Sequence, residues 1–357
     1  MGLLTNLTDC TASYVVGRNV EGRPVFTCIV KAEYTWTAGG ALTSVAADPV
    51  RTKDELEEDP DAPDTPAVAY PAELGPRKRR TDVVLVGAVV TPAPVESVDA
   101  GVSIGAALRK TLRVTGDRLW LPAADGGLRP GRPKTFTRMP ISWSRSFGGV
   151  DPDDPGYAEL RNPVGVGHRR KPAALKATHL PNFEDPRDLV TSTKSKPVPV
   201  GFGPVAGHWL PRSKLAGTYD ERWNENRRPL LPEDFDPLFH NFAPADQQLE
   251  AVKPGDEVLL VNLTLAGRDR FALPNATLPL TFVTDKAIVN MRTSVDTISI
   301  DPEKQRLSLI SRGEYLPAAS LLELRSVIVG KPTRGLRRAI GRAKLYVGRL
   351  PSVPRED

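Results

Sequence analysis

Proline is the feature that most restricts the fold of this chain. There are 35 prolines among 357 residues, about twice the proportion usual in globular proteins. Proline removes a main-chain donor, breaks helix interiors and is confined to the edges and bulges of sheets. Hydrophobic residues at 40%, together with 29 glycines, fall in the globular range and exclude general disorder. We therefore expect few helices and a β scaffold with long ordered loops.

Short β-type segments occupy both ends of the chain. Residues 12–37 predict a hairpin with its turn at 21–24, and the apolar run 83–90 predicts a strand buried on both faces. Residues 97–121 alternate, and residues 257–329 contain a regular series of short strands separated by turns. These patterns predict a mainly β fold: an antiparallel β-sandwich or a barrel-like core, with long ordered loops rich in proline and aromatic residues and a short C-terminal helix.

The β-rich domain is expected to span residues 1–330. It forms either one unit or two β subdomains, at about 1–121 and 250–330, joined by the loop-rich segment 122–249. Residues 48–80 combine clustered acids, several prolines and a terminal basic run, which predicts an exposed loop.

The net charge of +5 is concentrated at the end of the chain. Residues 331–357 contain eight basic and two acidic residues, so this basic tail carries +6 and the rest of the chain −1. A body without basic excess argues against a nucleic-acid partner. Leu336, Ile340, Ala343 and Val347 recur at helical spacing in the tail. This helix either covers the β core or lets residues 331–349 contact an acidic partner or an anionic membrane surface.

The chain also carries no sign of export or membrane insertion. The first ten residues lack a basic patch followed by a long apolar segment. The densest apolar run is far shorter than the roughly 20 residues that span a bilayer. Two cysteines, Cys10 and Cys28, cannot form a disulfide framework. The sequence predicts a cytoplasmic protein with no membrane span.

Motifs for cofactor, metal or nucleophilic chemistry are weak. Residues 101–105 match GxSxG around Ser103, but both flanks have strand character, whereas a nucleophile elbow needs a following helix. No phosphate-binding loop is present, and the four histidines and two cysteines do not fall at metal-ligand spacing. We expect no cofactor, no metal and no catalytic nucleophile.

Two central segments, 136–149 and 201–249, are irregular yet rich in aromatic residues. Aromatic side chains are costly to leave in water, so these loops are expected to fold onto the β core. The second segment also contains Asp220, Asp234 and Asp236. Two facing carboxylates would suit general acid–base chemistry or glycoside hydrolysis, whereas acids beside Pro, Gly or Asn usually close turns or cap helices. The capping interpretation is favoured.

Several stretches resemble a known family. They include TDVVLVG (81–87), FTRMPISWSRSFGG (136–149), GFGPVAGHWLPRSKLAGTYDERW (201–223) and RRPLLPEDFDPLFHNFAPADQQL (227–249). Over about residues 15–330 the chain resembles the uncharacterised bacterial family numbered 2169 in the domains-of-unknown-function series.

The resemblance implies an accessory protein of type VI secretion. Genes of such proteins lie beside spike, PAAR-tip and toxin genes, and some members act as adaptor chaperones that load an effector onto the spike. This implies a cytoplasmic adaptor or chaperone whose partner is a secreted effector or a PAAR/spike-tip protein. The alternatives are a hydrolase that uses Asp220 with Asp234 or Asp236, and a structural subunit of a secretion assembly.

The candidate partner-binding residues come from the two aromatic segments. Trp, Tyr and Arg dominate binding hot spots, although aromatics also supply burial, so the same residues could instead fix the loops to the core. The candidates are Arg138, Trp143, Arg145, Phe147, Trp209, Tyr219, Asp220, Trp223, Asp234 and Asp236.

Overall fold

The computed structural model of the protein describes residues 3–37, 39–57, 66–317 and 320–341. The first strands in chain order are β1 (Leu3–Asn6), β2 (Thr11–Arg18), β3 (Pro24–Trp36), β4 (Leu42–Val45), β5 (Glu55–Leu56), β6 (Val68–Tyr70), β7 (Thr81–Leu85), β8 (Ala88–Val95), β9 (Ser97–Ile104), β10 (Leu108–Thr115), β11 (Trp120–Pro122), β12 (Leu128–Pro130) and β13 (Phe136–Pro140). The remaining strands are β14 (Phe147–Gly148), β15 (Val150–Asp151), β16 (Asp154–Ala158), β17 (Val166–Gly167), β18 (Phe183–Glu184), β19 (Gln248–Leu249), β20 (Glu257–Val261), β21 (Arg268–Ala272), β22 (Pro279–Thr284), β23 (Ile288–Arg292), β24 (Ser294–Asp301), β25 (Arg306–Tyr315) and β26 (Leu324–Val329).

Helical structure in the described residues is short. The α-helices are α1 (Glu221–Asn226) and α2 (Arg334–Gly341). The 3-10 helices are η1 (Trp143–Arg145), η2 (Pro172–Leu175), η3 (Arg212–Ala216), η4 (Pro237–His240), η5 (Ala245–Gln247) and η6 (Leu321–Glu323). The mainly β class expected from the proline content is confirmed. Within the part of the chain that is described, no helix combines the length and apolarity needed to cross a bilayer.

The largest sheet has the strand order β19-β7-β24-β25-β3-β2, and β4 also pairs with β3. Its central strand β3 is 13 residues long, is rich in β-formers and is buried over most of its length. β2 and β3 form the hairpin expected from residues 12–37. Strands β7 and β24 are parallel, whereas β24, β25, β3 and β2 follow one another in antiparallel order. The sheet is therefore mixed rather than fully antiparallel.

Two smaller sheets pack on one face of the large sheet. The four-stranded sheet has the order β1-β26-β22-β23, and the five-stranded sheet has the order β18-β10-β9-β20-β21. Phe26 and Cys28 of β3 pack against Phe282 of β22. Further along the same face of β3, Trp36 stacks on Phe271 of β21, with ring centroids 5.0 Å apart. These open, stacked sheets correspond to the sandwich alternative and not to the barrel-like one.

Strands from both β-rich stretches are interleaved in the same sheets. β7 lies beside β24 in the large sheet, and β9 lies beside β20 in the five-stranded sheet. The stretches 1–121 and 250–330 thus share their sheets and their main hydrophobic core. Ser103 lies within β9, which forms a hairpin with β10, so the strand–turn–strand setting expected for the GxSxG match is confirmed.

The other face of the large sheet is covered by loops, and we call it the loop-covered face. It carries Ile29, Lys31 and Arg312 and is covered by residues 66–78 and 239–243. The sequence-based expectation that residues 48–80 form an exposed loop is wrong for residues 66–75 and for Lys78, which are buried or half-buried. Glu73 and Lys78 can be buried because their charges have partners in the sheet: Glu73 pairs with Lys31, and Lys78 pairs with Asp82.

The basic tail begins as the expected helix. Helix α2 covers residues 334–341, and Leu336 of the predicted apolar stripe is half-buried beside the exposed Arg337 and Arg338. Ala343 and Val347 lie outside the described residues, as does the rest of the tail after residue 341.

Candidate functional site

Three of the predicted partner-binding residues are buried anchors. Trp143, Phe147 and Trp209 are 5%, 4% and 1% exposed. The Trp143 ring meets the Trp209 ring edge to face at 6.1 Å, and its indole nitrogen donates to the Gly203 carbonyl at 3.1 Å. In this structure these aromatics fix the central loops to one another, which is the role expected of buried rings with a satisfied N–H.

The two predicted arginines connect segments that are distant in sequence through ion pairs and hydrogen bonds. Arg138 makes a two-pronged ion pair with Glu303, with nitrogen–oxygen distances of 2.7 and 3.0 Å. Arg145 donates to Asn182 Oδ1 at 3.2 Å and to Asp117 at 3.3 Å. Both guanidinium groups are partly exposed, but each is already bound to other side chains of the protein.

The remaining candidates lie together in residues 217–236, which we call the aromatic segment. Asp220 caps α1 by accepting from the main-chain N–H of Trp223 at 2.8 Å. The Tyr219 ring contacts the Trp223 ring with centroids 4.7 Å apart, and the Trp223 indole N–H donates to the Leu230 carbonyl at 2.8 Å. Tyr219 is 54% exposed although its ring is held in place by these contacts.

Both ends of the aromatic segment are closed by carboxylates. Asp234 accepts from the Thr218 main-chain N–H at 2.9 Å and from the Thr218 hydroxyl at 2.7 Å, and these bonds lower the pKa of Asp234. Asp236 caps η4 by accepting from the Leu238 N–H at 2.8 Å. Asp220, Asp234 and Asp236 therefore each close a turn or cap a helix, as the favoured interpretation expected. This arrangement supplies no observation in favour of the hydrolase alternative.

A cavity of about 240 Å³ lies beside the aromatic segment. The helices η3 and η4, which flank the segment in sequence, contribute Arg212 and His240 to its wall. Lys78 and Arg312 line the cavity from the loop-covered face, and we call this space the basic cavity. Its apolar lining includes Val68, Pro71, Val205 and Phe242.

Two of the cations in the basic cavity are paired with buried carboxylates. Lys78 Nζ lies 2.7 Å from Asp82 and 3.3 Å from the centroid of the Phe242 ring. Burial outweighs the nearby carboxylates and lowers the pKa of Lys78 to about 8. Arg312 forms an ion pair with Asp296 through Nη1.

Burial is the main cause that lowers the pKa of the other two basic groups, although the carboxylates of Asp82 and Asp54 act to raise that of Arg212. Burial lowers the pKa of His240 to about 4, and the cations Arg212, Lys78 and Arg312 add to this effect. Burial also lowers the pKa of Arg212. In the described part of the chain, no group of three or more His, Cys, Asp or Glu side chains is arranged to hold a metal ion.

Sequence reasoning did not find the basic cavity. Its four basic residues come from four distant parts of the chain and meet only because residues 66–78 and 239–243 cover the same face of the large sheet. The single local signal was the basic run at residues 77–80, which was assigned to an exposed loop.

The fold and these surfaces define a mainly β protein with loops that cover one sheet and present an aromatic surface beside a basic cavity. Residues 21–312 match the model of the DUF2169 family, described as an uncharacterized protein conserved in bacteria. The chain belongs to this family, which confirms the resemblance seen in the sequence. No curated protein matches the chain significantly. No solved structure does so either.

Proposed function

We propose that this protein is an adaptor that binds another polypeptide, a type VI secretion effector or a PAAR/spike-tip protein, and aids its loading in the cytoplasm. The observation that supports a binding role is the exposed Tyr219, held against Trp223 on a segment whose ends are closed by hydrogen bonds. The partner class comes from family membership and from the type VI association that the family resemblance implies.

The aromatic segment has the physical properties of a binding anchor. A fixed aromatic ring loses little conformational entropy when a partner covers it, so more of its contact energy remains as affinity. Asp220, Glu221 and Arg222 are exposed around the ring and supply a polar rim. Trp223 is half-buried, and its indole N–H already donates to a carbonyl inside the segment. Tyr219 is therefore the ring that is most available for contact with a partner.

The test is co-purification with candidate effectors and PAAR proteins. We expect the wild type to retain one of them and Tyr219→Ala to weaken that affinity about tenfold or more, as truncation of a hot spot does. Leu265→Ala is the matched control, because Leu265 is 67% exposed at the turn between β20 and β21, outside the aromatic segment. Equal binding by both variants would count against the aromatic segment as the contact surface.

Failure to bind any candidate, together with a stable homo-oligomer, would favour the structural-subunit alternative instead. Size-exclusion chromatography with light scattering measures this directly, because an adaptor without its partner is expected to remain monomeric or to form only weak assemblies. The hydrolase alternative would require turnover of a substrate that depends on Asp220, Asp234 or Asp236. The same preparations serve for both measurements.

A further inference from the structure

We propose that the basic cavity binds a small oxyanion, a free carboxylate or phosphate, through Arg212. This site is separate from the Tyr219 surface and does not depend on the adaptor proposal. The proposal rests on the lack, in the described part of the chain, of a carboxylate in contact with Arg212, on the free donor capacity of this residue and on the shape of the cavity.

Arg212 differs from the other cations of the cavity because no carboxylate of the described residues touches it: Asp82 and Asp54 act on its guanidinium only from a longer distance. Lys78 and Arg312 each have a buried carboxylate, Asp82 and Asp296 respectively. Among the residues that the structure describes, no carboxylate lies within 4 Å of the Arg212 guanidinium. A guanidinium that is largely buried without a carboxylate in contact is costly, and an anion in the cavity would reduce this cost.

Arg212 is held in position by two hydrogen bonds and has further N–H groups that these bonds do not use. Its Nε donates to the Phe239 carbonyl at 2.9 Å and its Nη1 to the Val205 carbonyl at 2.6 Å, and both acceptors are neutral. The guanidinium also lies 5.2 Å from the Phe239 ring centroid. Neither main-chain bond uses Nη2. A fixed guanidinium with free N–H groups suits the planar, charge-assisted recognition of carboxylate or phosphate.

The rest of the wall favours a small anion over a cation. Arg212, Lys78 and Arg312 lie close enough to His240 to add to the larger effect by which burial lowers its pKa. Asp54 is the one acid that lines the cavity among the described residues; it is exposed and accepts from the main-chain N–H of Ala72 at 2.7 Å. A volume of about 240 Å³ corresponds to about eight water molecules, which is room for a group of a few heavy atoms.

The experiment compares thermal unfolding in sodium phosphate, sodium acetate and sodium chloride at matched ionic strength. We expect phosphate or acetate to raise the Tm of the wild type saturably above the chloride value. The anion that does so identifies the ligand class. Arg212→Gln should weaken the apparent affinity about tenfold or more, as loss of a charge-assisted donor does. Isothermal titration of the wild type measures the same affinity directly.

Arg227→Gln is the matched control. Arg227 is also partly buried and donates to main-chain carbonyls, those of Leu231 and Val20, but it lies outside the basic cavity. Its variant should keep the wild-type anion response. If Arg212→Gln does not fold, Ala72→Glu tests the same site, because a new carboxylate at the lining of the cavity should abolish the saturable response.

The proposal is overturned if neither phosphate nor acetate stabilises the wild type beyond chloride. It is also overturned if the Tm rises with anion concentration without saturating and rises equally in the wild type and in Arg212→Gln. Where Ala72→Glu replaces Arg212→Gln, the same comparison is made with that variant. An equal rise without saturation is the behaviour of an ion excluded from the general protein surface.

Discussion

The ammonium nitrogen of Lys78 lies 2.7 Å from a carboxylate oxygen of Asp82, and both side chains are buried on the loop-covered face. The same carboxylate accepts from the Asn241 side-chain amide and from the Phe242 main-chain N–H, each at 2.9 Å. One carboxylate on β7 therefore holds both loops that cover the sheet. Because these loops also line the basic cavity, Asp82 and Lys78 determine whether the cavity keeps its shape.

Lys78→Met is expected to destabilise the protein by about 3–5 kcal/mol, because it leaves the Asp82 charge buried without its partner. Urea unfolding measures the difference. Arg113→Met is the control, since the Arg113–Asp99 pair is partly exposed, with side chains 33% and 45% accessible, and such pairs contribute about 1 kcal/mol or less. Equal costs for the two variants would show that the Lys78–Asp82 pair does not hold the loops.

Trp143→Ala should cost about 3–5 kcal/mol, because it removes a large ring from a packed cluster. It also leaves the Gly203 carbonyl without its indole donor. Tyr219→Ala should cost less than about 1 kcal/mol, because the Tyr219 side chain is largely exposed. Chemical denaturation of the two variants separates an anchor of the core from a surface contact. A small loss for Trp143→Ala would mean that the ring is free to serve a partner.

His240 gives the protein a specific acid sensitivity. Its pKa falls from 6.5 to about 4 in the folded protein, so the unfolded chain binds this proton more readily between those values. The contribution of His240 to the free energy of unfolding is fully present above about pH 6.5 and is lost as the pH falls towards 4. We expect His240→Gln to lose less stability than the wild type over this window, by about 1–3 kcal/mol.

The control for this pH dependence is His179→Gln, which replaces an exposed histidine away from the basic cavity. Unfolding at several pH values between 4 and 7 should give parallel curves for this variant and the wild type. Parallel curves for His240→Gln as well would place the acid sensitivity elsewhere, in carboxylates that titrate in the same range.

Local sequence patterns predicted the elements better than their arrangement. The β2–β3 hairpin follows from alternation and a turn, which are short-range properties. The apolar run 83–90 was predicted as one strand, but the chain bends at Gly87 and continues as β8, which pairs with β13 in another sheet. Gly87 has φ +81°, and a Cβ there would lie 2.6 Å from an Asp301 carboxylate oxygen. That contact depends on a distant strand and leaves no local signal.

Local sequence patterns were limited in the same way in predicting the aromatic segment and the basic cavity. Tyr219 and Trp223 were predicted as site residues because they belong to an irregular, aromatic-rich segment and are of residue types common in binding hot spots, and the structure does bring their rings together. Trp143 and Trp209 carried the same compositional signal, yet packing among the central loops buries them. The basic cavity joins Lys78 to Arg312 across the large sheet, so only the topology brings them together.

Gly217→Ala is expected to weaken partner binding by distorting the base of the aromatic segment. Gly217 has φ +81°, and a Cβ at this position would lie 2.8 Å from both an Asp234 carboxylate oxygen and the Pro232 side chain. Gly126→Ala is the matched control, because Gly126 has the same φ of +81° with nothing within 4 Å of its Cβ position. Gly217 also has ψ −178°, a backbone conformation essentially restricted to glycine, so Gly217→Ala should lose more stability than Gly126→Ala through both backbone strain and the displaced Asp234 turn. The co-purification assay should change in Gly217→Ala alone, and an identical response of the two variants would show that the Asp234 turn does not position Tyr219.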